Sequence, residues 1–490
     1  MNRYFKAISS NYILFFVSTI FFLVITALAI RVMGEDFYGL WVILNSILLF
    51  SGVGMLGMGV IVNKFASEVG EDAIPPAKIL SAGFAILLPM ACLVAVVILL
   101  LRKWISVQLG VDASLQHQLE QALVFTAISV IPQFLGRVPH GYLLSQLKNV
   151  YAMGVDLGVN IALWTGAVVI AAINPNLVWM AAWGLLVQSA GFIVLWLIVL
   201  RMVDFKLRID RDVLKKMLGF SGFSFLQSLA NILFQHFDRI LVGFVLGPAA
   251  AGVYSVGTSV ALRLSIVAGQ ATDVMLPYAS QKSSQQDNTA LYHTFRQLTQ
   301  FVGIVIGVLA ALLILWMDLI LAIWISPEYA QNYALIFRVI VLAYIFMSIC
   351  RSGHQTLMGM GKIRATSLIF IATSLLMLTG LYFLASRYGL MGAAASNLLM
   401  VFLLLFNLMV YPSLTRSFPI LSVVWDHAFA LGLPLIAYAV SGATSQSDWL
   451  VRLLISVMIM LVSYVFLRRL ELVQRYLNMV RNELHVRINK

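Results

Sequence analysis

Apolar runs of spanning length recur from one end of the chain to the other, and charged residues, prolines or asparagines separate them. A helix needs about 20 apolar residues to cross the hydrocarbon core of a bilayer. The pattern therefore predicts an all-α polytopic membrane protein with fourteen transmembrane helices. The predicted spans are 11–31, 37–62, 79–101, 121–145, 150–172, 177–200, 218–246, 250–275, 297–317, 333–357, 365–386, 389–411, 427–443 and 449–467.

Two blocks of sequence repeat at the same places in the span order. Residues 34–67 align with 247–280 without a gap, and the shared residues are Gly34, Gly39, Ser46, Leu49, Ala66 and Ser67 against Gly247, Gly252, Ser259, Leu262, Ala279 and Ser280. At nearly the same offset, Arg137, His140, Leu143 and Lys148 recur as Arg351, His354, Leu357 and Lys362. Transporters use such duplications to place a site between their halves. The repeat predicts two pseudo-symmetric six-helix lobes around a central cavity, with two extra C-terminal helices.

The predicted domain order follows from that repeat. It runs from an N-lobe (1–200) through a basic connector (201–217), a C-lobe (218–412) and two added spans (413–467) to a basic tail (468–490). Most of the 32 Lys and Arg residues lie in the N-terminus, the connector, the tail and the loops predicted on the same side. Because cytoplasmic loops carry the excess of basic residues, we expect both termini in the cytoplasm.

The composition excludes a soluble domain. Hydrophobic residues make up 61% of the chain and charged residues 11%, against about 25% charged in globular proteins. The formal net charge is +12. Its basic residues lie mainly at helix ends, where they face anionic lipid. This distribution predicts membrane lipid as a partner and excludes nucleic acid.

The predicted span 218–246 carries polar and charged residues well inside an apolar run. Asn231, Gln235, Asp238 and Arg239 fall within one broad stripe of its helical surface. An ionised side chain near a span centre costs roughly 2.5 to 3.5 kcal/mol on insertion scales, so such residues usually face a bundle interior or a wet cavity. We expect this helix to form one wall of a polar cavity.

Two other stretches concern helix packing and bending. Four glycines occur in GVGMLGMG, at positions 52, 54, 57 and 59. Glycine permits close helix approach or bending, which the moving halves of a transporter require. For this glycine-rich stretch, the alternative to bending is close packing alone. Pro132 and Pro139 predict a kink beside Arg137 in the fourth span.

Several short motifs resemble a known family. They are VMGEDFYGLW after the first span, FDRILVG and VLGPAAAGVYS around the end of the seventh, and GMGK after the tenth. The chain resembles the polysaccharide transporter family of the multidrug/oligosaccharidyl-lipid/polysaccharide exporter superfamily, and is most similar there to Wzx-type O-antigen and exopolysaccharide repeat-unit flippases.

The resemblance implies a function in the bacterial inner membrane. It implies a central cationic cavity that carries an undecaprenyl-pyrophosphate-linked oligosaccharide from the inner to the outer leaflet by alternating access. A polysaccharide polymerase and a chain-length regulator are the implied partners. The related lipid II flippases also have arginines in their first two spans. No basic residue lies in those span interiors here, which disfavours lipid II as the cargo.

Arginines inside the predicted spans are the candidate substrate-binding residues, because a guanidinium stays charged and its donors match phosphate oxygens. The full set of candidates is Arg137, Arg239, Arg263, Arg338 and Arg351, together with Gln235 and Asn231. Arg263 shares a face with Ser255, Ser259, Gln270 and Asp273. The alternative is structural pairing, for instance of Arg239 with Asp238 or of Arg263 with Asp273.

Acidic residues and histidines in the spans are candidates for ion coupling, and these are Asp156, Asp238, Asp273, His140 and His354. A histidine titrates near neutral pH and could exchange protons during transport. The alternatives are that the histidines are satisfied interior residues and that Asp156 pairs with Arg137.

The chain lacks the motifs of a nucleotide or metal enzyme. GMGKIR has neither the upstream glycine spacing nor the following Ser or Thr of a P-loop. We therefore expect no enzyme activity and no cofactor, with transport driven by an ion gradient or the membrane potential. The competing hypotheses are a cation-coupled exporter of drugs or small amphiphiles, a membrane-embedded glycan-processing enzyme, and a scaffold for envelope assembly.

Overall fold

The computed structural model describes residues 2–68, 74–219, 229, 236–415, 419–443, 448–471 and 473–474. Every regular element among these residues is helical, which confirms the all-α class. Eleven helical segments of the described ranges are long and apolar enough to cross a bilayer. The chain is therefore a multi-pass membrane protein.

We number the helices in chain order. They are α1 (Asn2–Phe50), α2 (Met58–Ser67), α3 (Pro76–Gln108), α4 (Ala113–Ser145), α5 (Asn149–Ile173), α6 (Leu177–Leu200), α7 (Asp238–Leu246), α8 (Pro248–Thr272), α9 (Met275–Ser284), α10 (Asn288–Trp324), α11 (Pro327–Ile349), α12 (Arg351–Gly359), α13 (Ile363–Ser396), α14 (Leu405–Thr415), α15 (Ile420–Ala443) and α16 (Trp449–Arg469). Two 3-10 segments, Ser51–Met55 and Asn397–Leu404, lie between α1 and α2 and between α13 and α14.

Two of the eleven segments contain a backbone break where the sequence predicts two spans. Gly34 interrupts α1 with φ 74° and ψ 170°, and Gly389 interrupts α13 with φ 61° and ψ −145°. Glycine adopts such positive φ values without the clash of a Cβ. The predicted span 218–246 falls largely outside the described residues. The count of fourteen spans therefore stays a prediction.

Several helices extend beyond the predicted spans, because charged residues do not end them. The prediction ends one span at residue 101 and starts the next at 121, whereas α3 continues to Gln108 and α4 begins at Ala113. Arg102 Nε lies 3.6 Å from Glu120 Oε1, so these charges pair across neighbouring helices. Likewise α10 continues past the predicted end at 317, which places Asp318 inside the helix.

The glycine-rich stretch interrupts the helix, which is one of the alternatives left open for its glycines. A 3-10 turn follows α1, and Leu56 and Gly57 then adopt positive φ values of 53° and 69° before α2 begins. Helix α4 continues from Ala113 to Ser145 through Pro132 and Pro139, and the kink predicted beside Arg137 stays a prediction.

Backbone geometry supports the internal repeat. Gly34 and its counterpart Gly247 have nearly the same conformation, with φ and ψ of 74° and 170° in one and of 90° and 172° in the other. The chain also leaves α4 and α12 through the same three backbone hydrogen bonds. These are Gln146 N to Tyr142 O, Leu147 N to Leu144 O and Lys148 N to Leu143 O, and 214 residues later Met360 N to Thr356 O, Gly361 N to Met358 O and Lys362 N to Leu357 O.

By its internal contacts the chain divides into two units, Met1–Val253 and Tyr254–Lys490. In the first unit, α4 packs against α3 and α6, and α1 packs against α5. In the second, α10 packs along α15 and α11. The lobe bounds predicted from the sequence, 1–200 and 218–412, stay predictions.

Two buried ionic contacts attach the last helices of the second unit to α10. Near one end of α10, Arg296 donates to both oxygens of Asp426 on α15, at 2.7 and 2.8 Å. Near the other end, Arg452 Nη1 on α16 lies 2.8 Å from both oxygens of Asp318. The rise of an α-helix places the two contacts about 33 Å apart along α10, close to the thickness of a bilayer core.

Candidate functional site

In the first unit, three of the predicted residues form one polar cluster. Arg137 and His140 lie one turn apart on α4, and Asp156 faces them from α5. Arg137 Nη1 donates to Asp156 Oδ2 at 3.4 Å, and His140 Nε2 lies 3.1 Å from the same oxygen. The Arg137 and Asp156 side chains are 37% and 44% exposed. The predicted alternative, pairing of Asp156 with Arg137, is therefore present, in a place that small molecules can reach.

This cluster opens into a small polar pocket. Arg137, Asp156, Gln133 and Gln188 line a cavity of about 30 Å³ between α4, α5 and α6. Gln133 Oε1 is buried, and no side chain or backbone group of the described part of the chain donates to it. The site thus offers a guanidinium and two amides to a polar ligand.

An apolar groove of about 470 Å³ adjoins the polar pocket along α5 and α6. The two cavities share Val155, Val159 and Gly191 as lining residues. The rest of the groove is lined by Gly158, Ala162, Trp183, Leu186, Val187, Ala190 and Val194. Charged and amide side chains therefore lie beside an apolar groove.

In the second unit, Arg351 repeats the arrangement with a different partner. Its Nη2 donates to Asp273 Oδ1 at 3.1 Å, and Gln355 donates to the same oxygen at 2.9 Å. The donors to the Asp273 carboxylate therefore come from α12. The predicted alternative named Arg263 as its partner instead. The guanidinium lies against Gly269, where a Cβ would approach Nη2 to 2.7 Å.

The two histidines differ in their surroundings. His140 approaches the Asp156 carboxylate, whereas the ring of His354 packs against Phe406 and Phe370 at centroid distances of 5.0 and 6.1 Å. The two copies of the repeat are therefore chemically unequal at this position.

The remaining predicted residues have mixed positions. Asp238 begins α7 and is buried, and the backbone N–H of Arg239 donates to its Oδ1 at 2.8 Å. Arg239 and Arg263 are both half-buried. The predicted Gln235 and Asn231 lie outside the described residues.

Arg338 is a structural arginine. Its side chain is 11% exposed, its Nη2 lies 3.3 Å from Asp318 Oδ1, and its Nε donates to the carbonyl of Ile314 at 3.0 Å. Burial beside Asp318 and Arg452 argues against contact with cargo, contrary to the prediction that Arg338 binds substrate.

The sequence pattern did not predict the ion pairs formed by Arg296 with Asp426 and by Arg452 with Asp318. A signal for both was present, because an acid inside or beside an apolar run needs a counter-charge when it is buried. Gln300 and Tyr411 also donate to Asp426, at 2.5 and 2.8 Å. Within the described ranges, no three His, Cys, Asp or Glu side chains come together as a metal site would require.

Comparison with known proteins finds a matching family, a protein of similar sequence and structures of similar fold. A family model described as "Polysaccharide biosynthesis protein" matches residues 31–334. A Shigella flexneri protein named "Putative O-antigen transporter" is 24% identical over 382 residues, which cover 75% of this chain and 87% of that protein. The structure of lipid II flippase MurJ in an inward closed conformation matches with a TM-score of 0.75 at 14% identity, over 94% of this chain and 98% of that one.

A further structural match is an inward-facing multidrug resistance MATE family transporter of the MOP superfamily. Its TM-score is 0.64 at 13% identity, over 87% of this chain and 96% of that one. At these identities, the two structural matches establish the fold alone.

Proposed function

Since the chain belongs to the polysaccharide biosynthesis protein family, which confirms the resemblance of its motifs, we propose that it is a flippase for lipid-linked oligosaccharides. Its cargo is an O-antigen or exopolysaccharide repeat unit on undecaprenyl pyrophosphate, moved from the cytoplasmic to the periplasmic leaflet of the bacterial inner membrane. A relative named for O-antigen transport and a fold shared with a lipid flippase support this proposal.

The observation that carries the proposal is the pocket of the first unit. A polar recess with Arg137 adjoins an apolar groove along α5 and α6. A lipid-linked oligosaccharide has the matching parts, namely sugars, a diphosphate and a long isoprenoid chain. The Arg137 fork suits the diphosphate oxygens, and the groove suits apolar chain.

In this proposal the carboxylates hold the arginines ready for phosphate. Asp156 and Asp273 each keep one guanidinium in place at 3.4 and 3.1 Å, and a diphosphate competes with them for the same donors. Arg351 retains a buried Nε for which the described residues supply no acceptor. Arg239, Arg263, Gln235 and Asn231 are further proposed contacts, whereas the buried position of Arg338 beside Asp318 disfavours it as a contact.

The proposed cycle uses the predicted architecture of fourteen spans in two lobes around a central cavity, with both termini cytoplasmic. Release of cargo requires that the carboxylates regain their arginines, and protonation of Asp156 beside His140 would change that balance. Asp238, Asp273 and His354 are secondary coupling candidates. We propose no cofactor and no enzyme activity, and a polymerase and a chain-length regulator as pathway partners.

A cation-coupled exporter of drugs is the second candidate, because the chain shares its fold with a MATE transporter. The described clusters around Arg137 and Arg351 disfavour it, since guanidinium groups repel cationic drugs.

The test is complementation of a host whose own flippase gene is deleted. The host must make a repeat unit that this protein moves. We would compare wild type, Arg137→Ala, Arg137→Lys and Arg351→Ala at equal membrane levels. The matched control is Arg364→Ala, because Arg364 is exposed near the start of α13.

We expect Arg137→Ala and Arg351→Ala to reduce surface glycan and to accumulate lipid-linked repeat units in the cytoplasmic leaflet. Arg137→Lys should recover part of the activity, since lysine keeps the charge without the fork. Full transport by both alanine variants would reject the arginine site, and export of a cationic dye without movement of any lipid-linked glycan would reject the flippase.

A further inference from the structure

A buried asparagine side chain is inserted into the helix that carries Arg351. The helix breaks at Cys350, between α11 and α12. In an uninterrupted helix the carbonyl of Ile349 would accept from the N–H of Gly353. Here Asn407 Nδ2 donates to the Ile349 carbonyl at 3.0 Å, and Asn407 Oδ1 accepts from the Gly353 N–H at 2.9 Å.

The fit around this insertion is tight. Asn407 is fully buried, and a Cβ at Gly353 would approach the backbone N of Asn407 to 2.6 Å. Only glycine allows α14 to come this close to α12. Asn407 Nδ2 also lies 2.8 Å from His427 Nε2, which connects the break to α15.

In the first copy of the repeat, the equivalent helical hydrogen bond is absent for a different reason. The register that aligns Arg137 with Arg351 places Pro139 opposite Gly353 and Leu135 opposite Ile349. The matching hydrogen bonds at the ends of α4 and α12 fix that register. Proline has no N–H, so the Leu135 carbonyl cannot receive the bond that an uninterrupted helix would provide.

We infer that Asn407 and Pro139 are positioning residues that open the same helical hydrogen bond two residues after each site arginine. A helix with all its backbone hydrogen bonds formed keeps its direction, whereas an inserted side chain or a proline lets it bend. The missing hydrogen bond therefore sets the bend of each helix. That bend sets the angle at which Arg351 reaches Asp273 and Arg137 reaches Asp156. The functional meaning of this geometry rests on the proposed arginine sites, but the geometry can be tested without transport.

The first experiment measures the position of residue 351 directly. Arg351→Cys would be introduced into a full-length chain carrying Cys92→Ala and Cys350→Ala, and its alkylation rate by a charged maleimide would be measured in membranes with and without Asn407→Leu. The matched control is Asn397→Leu. Asn397 is equally buried, lies ten residues earlier and bonds to Tyr254.

We expect Asn407→Leu to change the alkylation rate by about tenfold, the size of effect that loss of a buried hydrogen-bonding partner produces. Asn397→Leu should leave the rate close to that of the parent. Equal rates in all three chains, or equal changes in the two leucine variants, would overturn the assignment of Asn407.

The second experiment uses Pro139→Ala, which restores a helical N–H and should not weaken the fold. We expect normal membrane levels and thermal stability, a changed alkylation rate at an Arg137→Cys probe, and transport reduced by about tenfold. Pro132→Ala, one to two turns earlier in α4, is the control. An unchanged alkylation rate in Pro139→Ala would overturn the inference, whereas a changed rate with unchanged transport would retain the geometry and reject the role of Arg137.

Discussion

Asp318 contacts two buried arginines, and its replacement gives the sharpest stability prediction. Both Asp318 oxygens lie 2.8 Å from Arg452 Nη1, and one lies 3.3 Å from Arg338 Nη2. The three side chains are between 4% and 11% exposed. Asp318→Asn therefore removes the carboxylate charge that both guanidinium groups contact.

Loss of one partner from a buried ion pair costs about 3–5 kcal/mol. For a unit of roughly 240 residues this corresponds to a fall in Tm of about 6–20 °C. Arg452→Gln should cost less, because Asp318 keeps Arg338. Arg338→Gln should cost least, since it leaves a one-to-one pair.

The assay is thermal unfolding of the purified protein in one detergent, with Arg364→Gln as the exposed control. The double variant Asp318→Asn, Arg452→Gln should be more stable than the sum of the single effects predicts, because each single variant already breaks the same contact. Strict additivity, or an Asp318→Asn midpoint within the scatter of the control, would refute the reasoning.

Three further predictions concern the first unit. A Cβ at Gly39 would overlap the backbone carbonyl of Pro248, so Gly39→Ala should lower the melting midpoint, with an overpacking cost of about 1–3 kcal/mol. Lys78 donates to Asp210 at 2.8 Å and, with two backbone amides, holds the pKa of Asp210 below its usual value. This stabilisation of the connector is present above about pH 4 and disappears as the pH falls through the lowered pKa of Asp210. Amide hydrogen exchange in the connector, corrected for intrinsic rates, should therefore rise at acid pH in wild type. The Asp210→Asn variant should show no such rise. Asp156→Asn should leave repeat-unit binding intact but slow release, which single-turnover transport would detect.

For each of these three predictions, one result would contradict the reasoning. Gly39→Ala with a wild-type midpoint would show that the contact relaxes freely. An acid step that persists in Asp210→Asn would assign the titration to another group. Unchanged release from Asp156→Asn would separate Asp156 from the transport cycle.

The helices and the candidate cluster of the first unit follow well from the sequence. Apolar runs indicate the spans because bilayer thickness constrains each one locally. Pairing of Arg137 with Asp156 was one of two alternatives, since the two residues lie on consecutive helices.

The contacts that the sequence did not predict join distant segments. Arg296 and Asp426 are 130 residues apart, and Asp318 and Arg452 are 134 apart. Periodicity places a charge on a helix face, but it does not say which distant helix packs on that face. The predicted span also ends just before Asp318, because an isolated acid in lipid is unfavourable. Only the buried partners of Asp318 make its position inside the helix acceptable.

The ion pairs of α10 have a consequence for biosynthesis. During translation α10 and α11 enter the membrane with Arg296, Asp318 and Arg338 before α15 and α16 exist. Asp426 and Arg452 arrive last, and each supplies a counter-charge to a residue already inserted. A nascent chain lacking α15 and α16 would retain these charges without their final partners. Insertion of α15 and α16 would therefore lower the cost of keeping Arg296 and Asp318 in the membrane.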